Sequence, residues 1–206
     1  KRRFSAKLLI HFHGDFWQNS NWLKEHRLNI IFLLISKFTV PRADAIRVMS
    51  KGQKDKLVKA SINEKKIRVI STPVNLEKYN HPNLEQVKSF KEHGLPIILH
   101  VSRKDYKTKD FKTLLKAFEI IYQQKKPKVH FWQVGAGLTP KELKERFSDI
   151  LLSFTGKAAF RMDPQVEPNS LINIYHSAEI VVLSSKSESF GKVLVEANAC
   201  GKPVVS

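Results

Sequence analysis

Short apolar runs alternate with longer stretches of helical spacing along most of this chain. Residues 7–12 (KLLIHF) form an apolar run that meets Gly14-Asp15, a turn signal. Residues 21–39 carry a helical pattern that ends near Pro41. Residues 45–50 (AIRVMS) and 66–71 (KIRVIS) read as strands, with a short polar helix over 51–60 between them. Three strands separated by helices predict parallel βαβ units. Between about 72 and 95 the character changes. Pro73, Pro82, Gly94 and Pro96 stand there among polar residues, which predicts a linker with a helix near 84–92.

The alternation then restarts. Residues 97–102 (IILHVS) predict a strand. Phe111, Leu114, Leu115, Phe118 and Ile121 fall at helical spacing over 111–124. A strand over 129–135 stops at Gly135, an amphipathic helix follows over 138–147, and 150–156 (ILLSFTG) reads as another strand. Residues 169–178 predict a helix opened by an Asn-Ser cap. The β-branched run 179–185 (EIVVLSS) has the character of a strand buried on both faces. A helix over 192–199 ends at Gly201 with Pro203 beyond it, and 203–206 begins one more strand. The expected class is α/β, with two Rossmann-like doubly wound domains, both incomplete. The expected division is 1–83 for the first domain, 84–95 for a linker and 96–206 for the second. The thin first sheet and the strand at Ser206 predict that residues precede Lys1 and follow Ser206.

Charge changes this picture. Lys and Arg total 36 against 19 acidic residues, a net of +17, and the excess leans toward the part before Gly94. Such a field attracts phosphates, nucleic acid or an anionic membrane surface, although a lysine-rich proteome would produce the same balance. The single cysteine, Cys200, excludes an internal disulfide and fits a reducing, cytoplasmic setting. The apolar stretch near the start is too short for a secretory signal and is broken by His and Asp. The most apolar run, 28–40 (LNIIFLLISKFTV), falls short of the roughly 20 residues that span a bilayer. Lys37 interrupts it, so a buried or membrane-surface helix is expected.

In a doubly wound sheet, ligands bind beyond the carboxyl ends of the strands. Arg103, Gly135, Gly137, Ser184, Ser185, Glu188 and Gly191 all follow such ends. Glu188 precedes a Phe-Gly pair and Glu196 stands eight positions later, on the helix that begins near Gly191. Gly191 lets backbone N–H groups approach a ligand, and a helix N-terminus attracts anions. Carboxylates beside an anion site suit hydroxyl donors, so a ligand with both sugar hydroxyls and phosphate would satisfy the whole set. The bland alternative stays open on spacing alone: Glu188 as a helix-entry acid favoured by the dipole, and Glu196 as a solvent-facing helix residue.

The stretch SESFGKVLVEANACGKPVV (187–205) resembles the signature of the GT-B-fold retaining glycosyltransferases of family 4, glycosyl transferases group 1. Glu188, Phe190, Gly191, Glu196, Ala197, Ala199, Gly201, Pro203 and Val204 match it. Upstream, VSRKDYKTKDFKTLLKAF is similar to the segment whose Arg and Lys hold the donor diphosphate, which implies those roles for Arg103 and Lys109, with Lys107 a rival for the second. Ser102 and Asp110 stand where the family has glycine. VGAGLTPKELKE resembles the family's Val-Gly-x-Gly strand end and brings in Gly135. Residues 43–79 are similar to the end of the family's N-terminal domain. IHFHGDF resembles its histidine-bearing loop, which implies that His13, beside Gly14, faces the donor sugar, whereas His11 reads as structural. Nearly the whole chain is covered.

The resemblance implies a cleft between the two domains and sugar transfer from a nucleotide-diphosphate sugar with retention of anomeric configuration. It implies no cofactor and no metal. Arg103, Lys109 and helix N–H groups would stabilise the leaving diphosphate. Glu196 would bind ribose hydroxyls and Glu188 hydroxyls of the transferred hexose. Phe190 and Gly191 would offer backbone contacts, and Arg161 and Met162 would lie near the base. The acceptor would be a saccharide or a lipid-linked sugar in cell-envelope or polysaccharide synthesis. The basic, partly apolar region 22–59 could rest on anionic lipid, which suits a peripheral enzyme on the cytoplasmic face of the membrane. Two other classes compete: a catalytically silent GT-B-like scaffold, and a basic nucleic-acid-binding protein. No specific nucleic acid is expected, because no aromatic-basic recognition motif appears. A dehydrogenase fails for want of Gly-x-Gly-x-x-Gly after a strand.

Overall fold

In the computed structural model the alternating pattern becomes two parallel sheets. The structure describes residues 6–14, 17, 20–92, 94–102, 108–125, 129–135, 145 and 160–206. The chain divides into two compact units, Lys1–Pro73 with Ser187–Gly191, and Val74–Lys186 with Lys192–Ser206.

In the first unit β1 (Leu9–His11), β2 (Ala45–Val48) and β3 (Ile67–Val69) pair in parallel in that order. The register sets Ile10 beside Ile46 and Arg47 beside Arg68. Phe12, Trp17, Val40, Ile46, Val48, Leu57 and Ile67 build one core. The helix expected over 21–39 is two helices, α1 (Ser20–Glu25) and α2 (Asn29–Thr39). The chain turns between them because side chains replace the helical bonds. Asn29 Nδ2 donates to the Trp22 carbonyl at 2.6 Å, and Leu28 N–H donates to His26 Nδ1 at 3.2 Å. The polar helix is α3 (Lys51–Lys59). Extended Ser50 caps it by accepting from Gln53 N–H at 3.3 Å. Of the two alternatives for 28–40, a buried helix does not hold for α2, which has no buried residue and leaves Ile30, Ile31, Phe32, Leu34, Ile35 and Phe38 exposed.

The second unit opens with a 3-10 turn at Glu77–Asn80 and α4 (Leu84–Phe90). The stretch expected to link two domains therefore carries a helix. Asn83 caps it, accepting from Glu85 and Gln86 N–H at 3.0 and 3.1 Å. Then come β4 (Ile97–Val101), α5 (Phe111–Lys125), β5 (His130–Val134), β6 (Phe160–Asp163), α6 (Pro168–Ser177), β7 (Ile180–Val182), α7 (Lys192–Ala199) and β8 (Val204–Val205). All pair in parallel in the order β6-β5-β4-β7-β8. The strand β6 was not foreseen, while the expected helix over 138–147 and strand over 150–156 lie almost wholly outside the described residues. The helix α6 starts at Pro168 behind Glu167, without a side-chain cap, so Asn169 and Ser170 lie in its first turn instead of ahead of it.

Successive residues of each strand serve opposite faces of this sheet. Ile97, Leu99, Trp132, Val134 and Val181 pack with Ile174, Tyr175 and Ala197 of α6 and α7. Ile98, Phe131, Phe160, Met162 and Val182 pack with Phe111, Leu114, Leu115 and Phe118 of α5. Burial on both faces explains why β5 is buried at every position. At the carboxyl ends, Ser102 N–H donates to the Val134 carbonyl at 3.0 Å and Gly135 N–H to the Asp163 carbonyl at 3.1 Å. Gly135 adopts φ +134°, and a Cβ there would stand 1.9 Å from the Ser102 carbonyl oxygen. Backbone strain and overlap with main-chain atoms act together at this point. We expect Gly135→Ala to destabilise the second unit by on the order of 3 kcal/mol or more, seen as a lower urea midpoint; an unchanged midpoint would contradict the close approach.

Candidate functional site

The order β6-β5-β4-β7-β8 reverses between β4 and β7, because the chain builds outward from β4 through β5 to β6 and then returns to β4's other side. In sheets of this kind the reversal is the usual ligand position. Three contacts tie the segment before α5 to the segment after β7. Lys186 N–H donates to the Thr108 carbonyl at 2.8 Å, and Ser184 Oγ donates to the Lys109 carbonyl at 2.7 Å. Lys186 Nζ lies 3.4 Å from Asp110 Oδ2. The backbone carbonyl of Lys109, a residue expected to hold phosphate, is thus anchored to the segment after β7.

Asp110 adopts φ +42°, a left-handed conformation that glycine takes without penalty and that Asp tolerates better than most residues. Its side chain offsets the strain. Burial pushes its carboxyl pKa up. Hydrogen bonds from the Thr113 side chain and backbone and from Lys186, with the charge of Lys186, outweigh that and hold it below the usual value. Asp110 therefore caps the start of α5 while pairing with Lys186 on the segment after β7.

Beneath this loop, His100 of β4 and Gln133 of β5 are register partners and are hydrogen-bonded through Nδ1 and Oε1. The His100 ring lies 5.8 Å from that of Phe111, at the start of α5. Burial is the main cause that pushes its pKa down, to about 4; the bond to Gln133 opposes this, and the charge of Lys109 adds to it. His100 Nε2 and Ser185 Oγ are buried without a hydrogen-bond partner among the described residues.

The helix α7 presents the most unusual group. Glu196 is only 6% exposed, which overturns the solvent-facing alternative. Tyr175 of α6 donates its hydroxyl to Oε2 at 2.9 Å, and Lys192 Nζ stands 3.1 Å from Oε1. Gly191, buried and at φ +72°, precedes α7, a backbone conformation that favours glycine. Glu188 is exposed and Phe190 half-buried in the segment Ser187–Gly191, which clusters with the first unit.

Other expected residues stand as follows. Arg103 and its neighbour Lys107 lie outside the described residues, as does Gly137. Lys109 and Gly135 stand at the carboxyl edge described above. His13 is exposed just past β1 in the first unit. His11, read as structural, is also exposed and stacks on His13 with ring centroids 6.0 Å apart. The loop after it is held by Gln53, whose Nε2 donates to the Gly14 carbonyl at 3.2 Å. Arg161 lies 4.2 Å above the Trp132 ring and 2.9 Å from Asp163. Sequence reasoning missed Tyr175, Tyr79 and the His100–Gln133 pair. A tyrosine on the apolar stripe of α6 was the available signal, since a buried tyrosine hydroxyl finds a partner. Among the described residues no group of three or more His, Cys, Asp or Glu could hold a metal ion.

The parallel sheet and its order reversal define a doubly wound α/β protein. The family model for glycosyl transferases group 1 matches residues 83–206, and this chain belongs to that family. An uncharacterized glycosyltransferase of Methanocaldococcus jannaschii is 27% identical across the whole chain, which spans 52% of that relative. A D-inositol 3-phosphate glycosyltransferase of Mycolicibacterium smegmatis is 42% identical over 72 residues, 35% of this chain and 16% of the relative. Among solved structures, Anabaena HepE in complex with UDP and glucose superposes with TM-score 0.75 at 19% identity, over 98% of this chain and 53% of that one. Sucrose-phosphate synthase from Thermosynechococcus elongatus gives 0.75 at 23% identity, over 98% and 50%. The fold is GT-B, and this chain spans about half the length of these full-length matches.

The buried neutral His100 has a pH consequence. In the unfolded chain a histidine takes up its proton below about pH 6.5, but in the folded protein His100 does so only near 4. The stability contributed by neutral His100 is present above 6.5 and is lost as pH falls toward 4. The difference in unfolding free energy between pH 7 and 4.5 should therefore be smaller in His100→Gln than in the wild type, by roughly 2 kcal/mol. Equal pH dependence of the two proteins in chemical denaturation would contradict a buried neutral imidazole.

Proposed function

We propose that this chain carries the donor site of a metal-independent glycosyltransferase. The enzyme moves a hexose from a nucleotide-diphosphate sugar to a saccharide or lipid-linked acceptor, with retention of anomeric configuration. The observation that carries the reading is the buried Glu196 carboxylate, just over one turn inside a helix whose entrance is the left-handed Gly191. Helix N–H groups there suit phosphate, and a water-poor carboxylate suits ribose hydroxyls. Arg103 and Lys109 would neutralise the departing diphosphate. Glu188 would accept hydrogen bonds from hexose hydroxyls, with Phe190 and Gly191 contributing backbone contacts, and His13 would face the sugar. Gly135 would let the ligand approach the sheet edge closely.

In this reading the acceptor oxygen attacks the anomeric carbon on the face from which the diphosphate leaves. The carbon–oxygen bond to phosphate breaks, and its electron pair goes to the phosphate. The acceptor's hydroxyl proton passes to that same leaving oxygen. No side chain needs to form a covalent intermediate. UDP and UDP-glucose are ligands of Anabaena HepE, and they are natural first probes here.

Contact with an anionic membrane, and with it a cytoplasmic peripheral location, is supported by α2. Its exposed Ile30, Ile31, Phe32, Leu34, Ile35 and Phe38 are flanked by exposed Lys24, Arg27, Lys37 and Arg42. No helix among the described residues is long and apolar enough to cross a membrane. Apolar area edged with basic residues fits an interfacial contact, which suits a role in cell-envelope or polysaccharide synthesis.

Two measurements test these readings. Calorimetry of the full-length protein with UDP-, GDP- and ADP-sugars in EDTA should show binding to one of them, weakened at least tenfold in Glu196→Ala. Binding to none would remove the donor-site reading and favour a silent scaffold. The full-length protein should also sediment with phosphatidylglycerol vesicles at low salt, and the double variant Ile31→Glu, Phe38→Glu should not. Failure of the wild type to sediment would remove the membrane contact.

A further inference from the structure

We infer that Tyr175, with Tyr79 beside it, is a positioning residue that fixes one oxygen of Glu196 and leaves the other to receive ligand hydroxyls. The inference rests on the reading of Glu196 as a ribose-binding carboxylate. The two oxygens of this carboxylate have unlike surroundings. Oε2 accepts from the hydroxyl of Tyr175, a fully buried residue, at 2.9 Å. Tyr79 lies close enough to Glu196 that, after burial, the carboxylate pushes its hydroxyl pKa up. Oε1 pairs, among the described residues, with Lys192 Nζ at 3.1 Å, and the Lys192 side chain is 55% exposed.

Each side of this arrangement has a physical reason. Tyr175 stands on α6, wedged into the core with Ile174, Trp132 and Ala197. Its ring meets that of Tyr79 edge-on at 6.4 Å. Tyr79 is itself held from both sides: its carbonyl is 2.7 Å from His176 Nε2 of α6 and 3.9 Å from Cys200 Sγ, just past α7. Burial first, then the charge of and the hydrogen bond to Glu196, push the Tyr175 hydroxyl pKa well above its ordinary value. The same causes act on Tyr79. Both hydroxyls therefore remain protonated donors at any physiological pH. A hydrogen bond to a charged acceptor is strong in such surroundings. The Lys192 pair is different, because a half-exposed i,i+4 ion pair is weak and rearranges easily. An ionised carboxylate offers about four lone-pair sites, so a diol can reach Oε1 while Oε2 stays fixed. The tyrosines thus set the plane of the carboxylate, and with it the direction from which a pair of adjacent hydroxyls is accepted.

The test separates positioning from general support of the fold. UDP, GDP and ADP are titrated into the full-length protein, and the tightest binder is compared with its 2′,3′-dideoxy form. The wild type should prefer the ribonucleotide. Tyr175→Phe, which keeps the ring and removes only the hydroxyl, should weaken the ribonucleotide about tenfold and the dideoxy form less than about twofold. Tyr79→Phe should act in the same direction, and it serves as the second variant if Tyr175→Phe folds poorly. Equal weakening of both ligands would mean that the tyrosine supports the fold alone, and this would overturn the inference. No weakening of either ligand would overturn it as well. Glu196→Ala distinguishes the two levels. If it abolishes the ribonucleotide preference while both tyrosine variants retain it, Glu196 binds ribose without the tyrosines. If Glu196→Ala leaves the preference intact, or if no nucleotide binds, the reading of Glu196 fails and the inference falls with it.

Discussion

Burial of the Glu196 carboxylate sets the terms for the second unit. An ion of that size taken out of water costs several kcal/mol unless hydrogen bonds and opposite charge replace its hydration. Replacement comes from α6 through Tyr175 and from Lys192 on α7 itself. The turn at Glu77–Asn80 joins the second unit through Tyr79, whose carbonyl meets His176 Nε2 and whose ring meets that of Tyr175. The buried carboxylate explains why a tyrosine interrupts the apolar stripe of α6. The same burial is the observation on which the proposed donor site rests.

Two further constraints act near the carboxyl ends of the strands. Gly135 allows the ends of β4 and β5 to come together closer than any side chain would permit. Asp110 occupies a left-handed position where the family pattern has glycine. The substitution is understandable because the carboxylate caps α5 through Thr113 and pairs with Lys186 on the facing loop. A departure from the family's motif is thus also an added tie between the two loops. Below them, the His100–Gln133 pair places a buried polar cross-strand contact within the sheet.

Much of this was legible in one dimension. Alternating periodicity marked β4, α5, β5, α6, β7 and α7, because a parallel sheet covered on both faces needs continuous apolar strands between amphipathic helices. The short strand β6 escaped because Phe160-Arg161-Met162-Asp163 alternates too briefly to stand out, and its pairing with β5 supplies the stability that its own pattern lacks. The break between α1 and α2 escaped because Asn29 and His26 act as caps only in three dimensions. At the site, the Glu188-Phe190-Gly191-Glu196 pattern was visible from local spacing, since a loop and the helix behind it are contiguous in the chain.

By itself, the sequence determined the α/β class, the family signature and the placement of Glu196 on the helix after Gly191. Those are local properties of periodicity and motif. Only the tertiary structure decided that Glu196 is buried, that Tyr175 holds it, that Ser184 and Lys186 tie down the Lys109 loop, and that His100 lies neutral against Gln133. Each of these joins residues dozens of positions apart, and the parallel sheet brings them together by strand order, which no local pattern encodes.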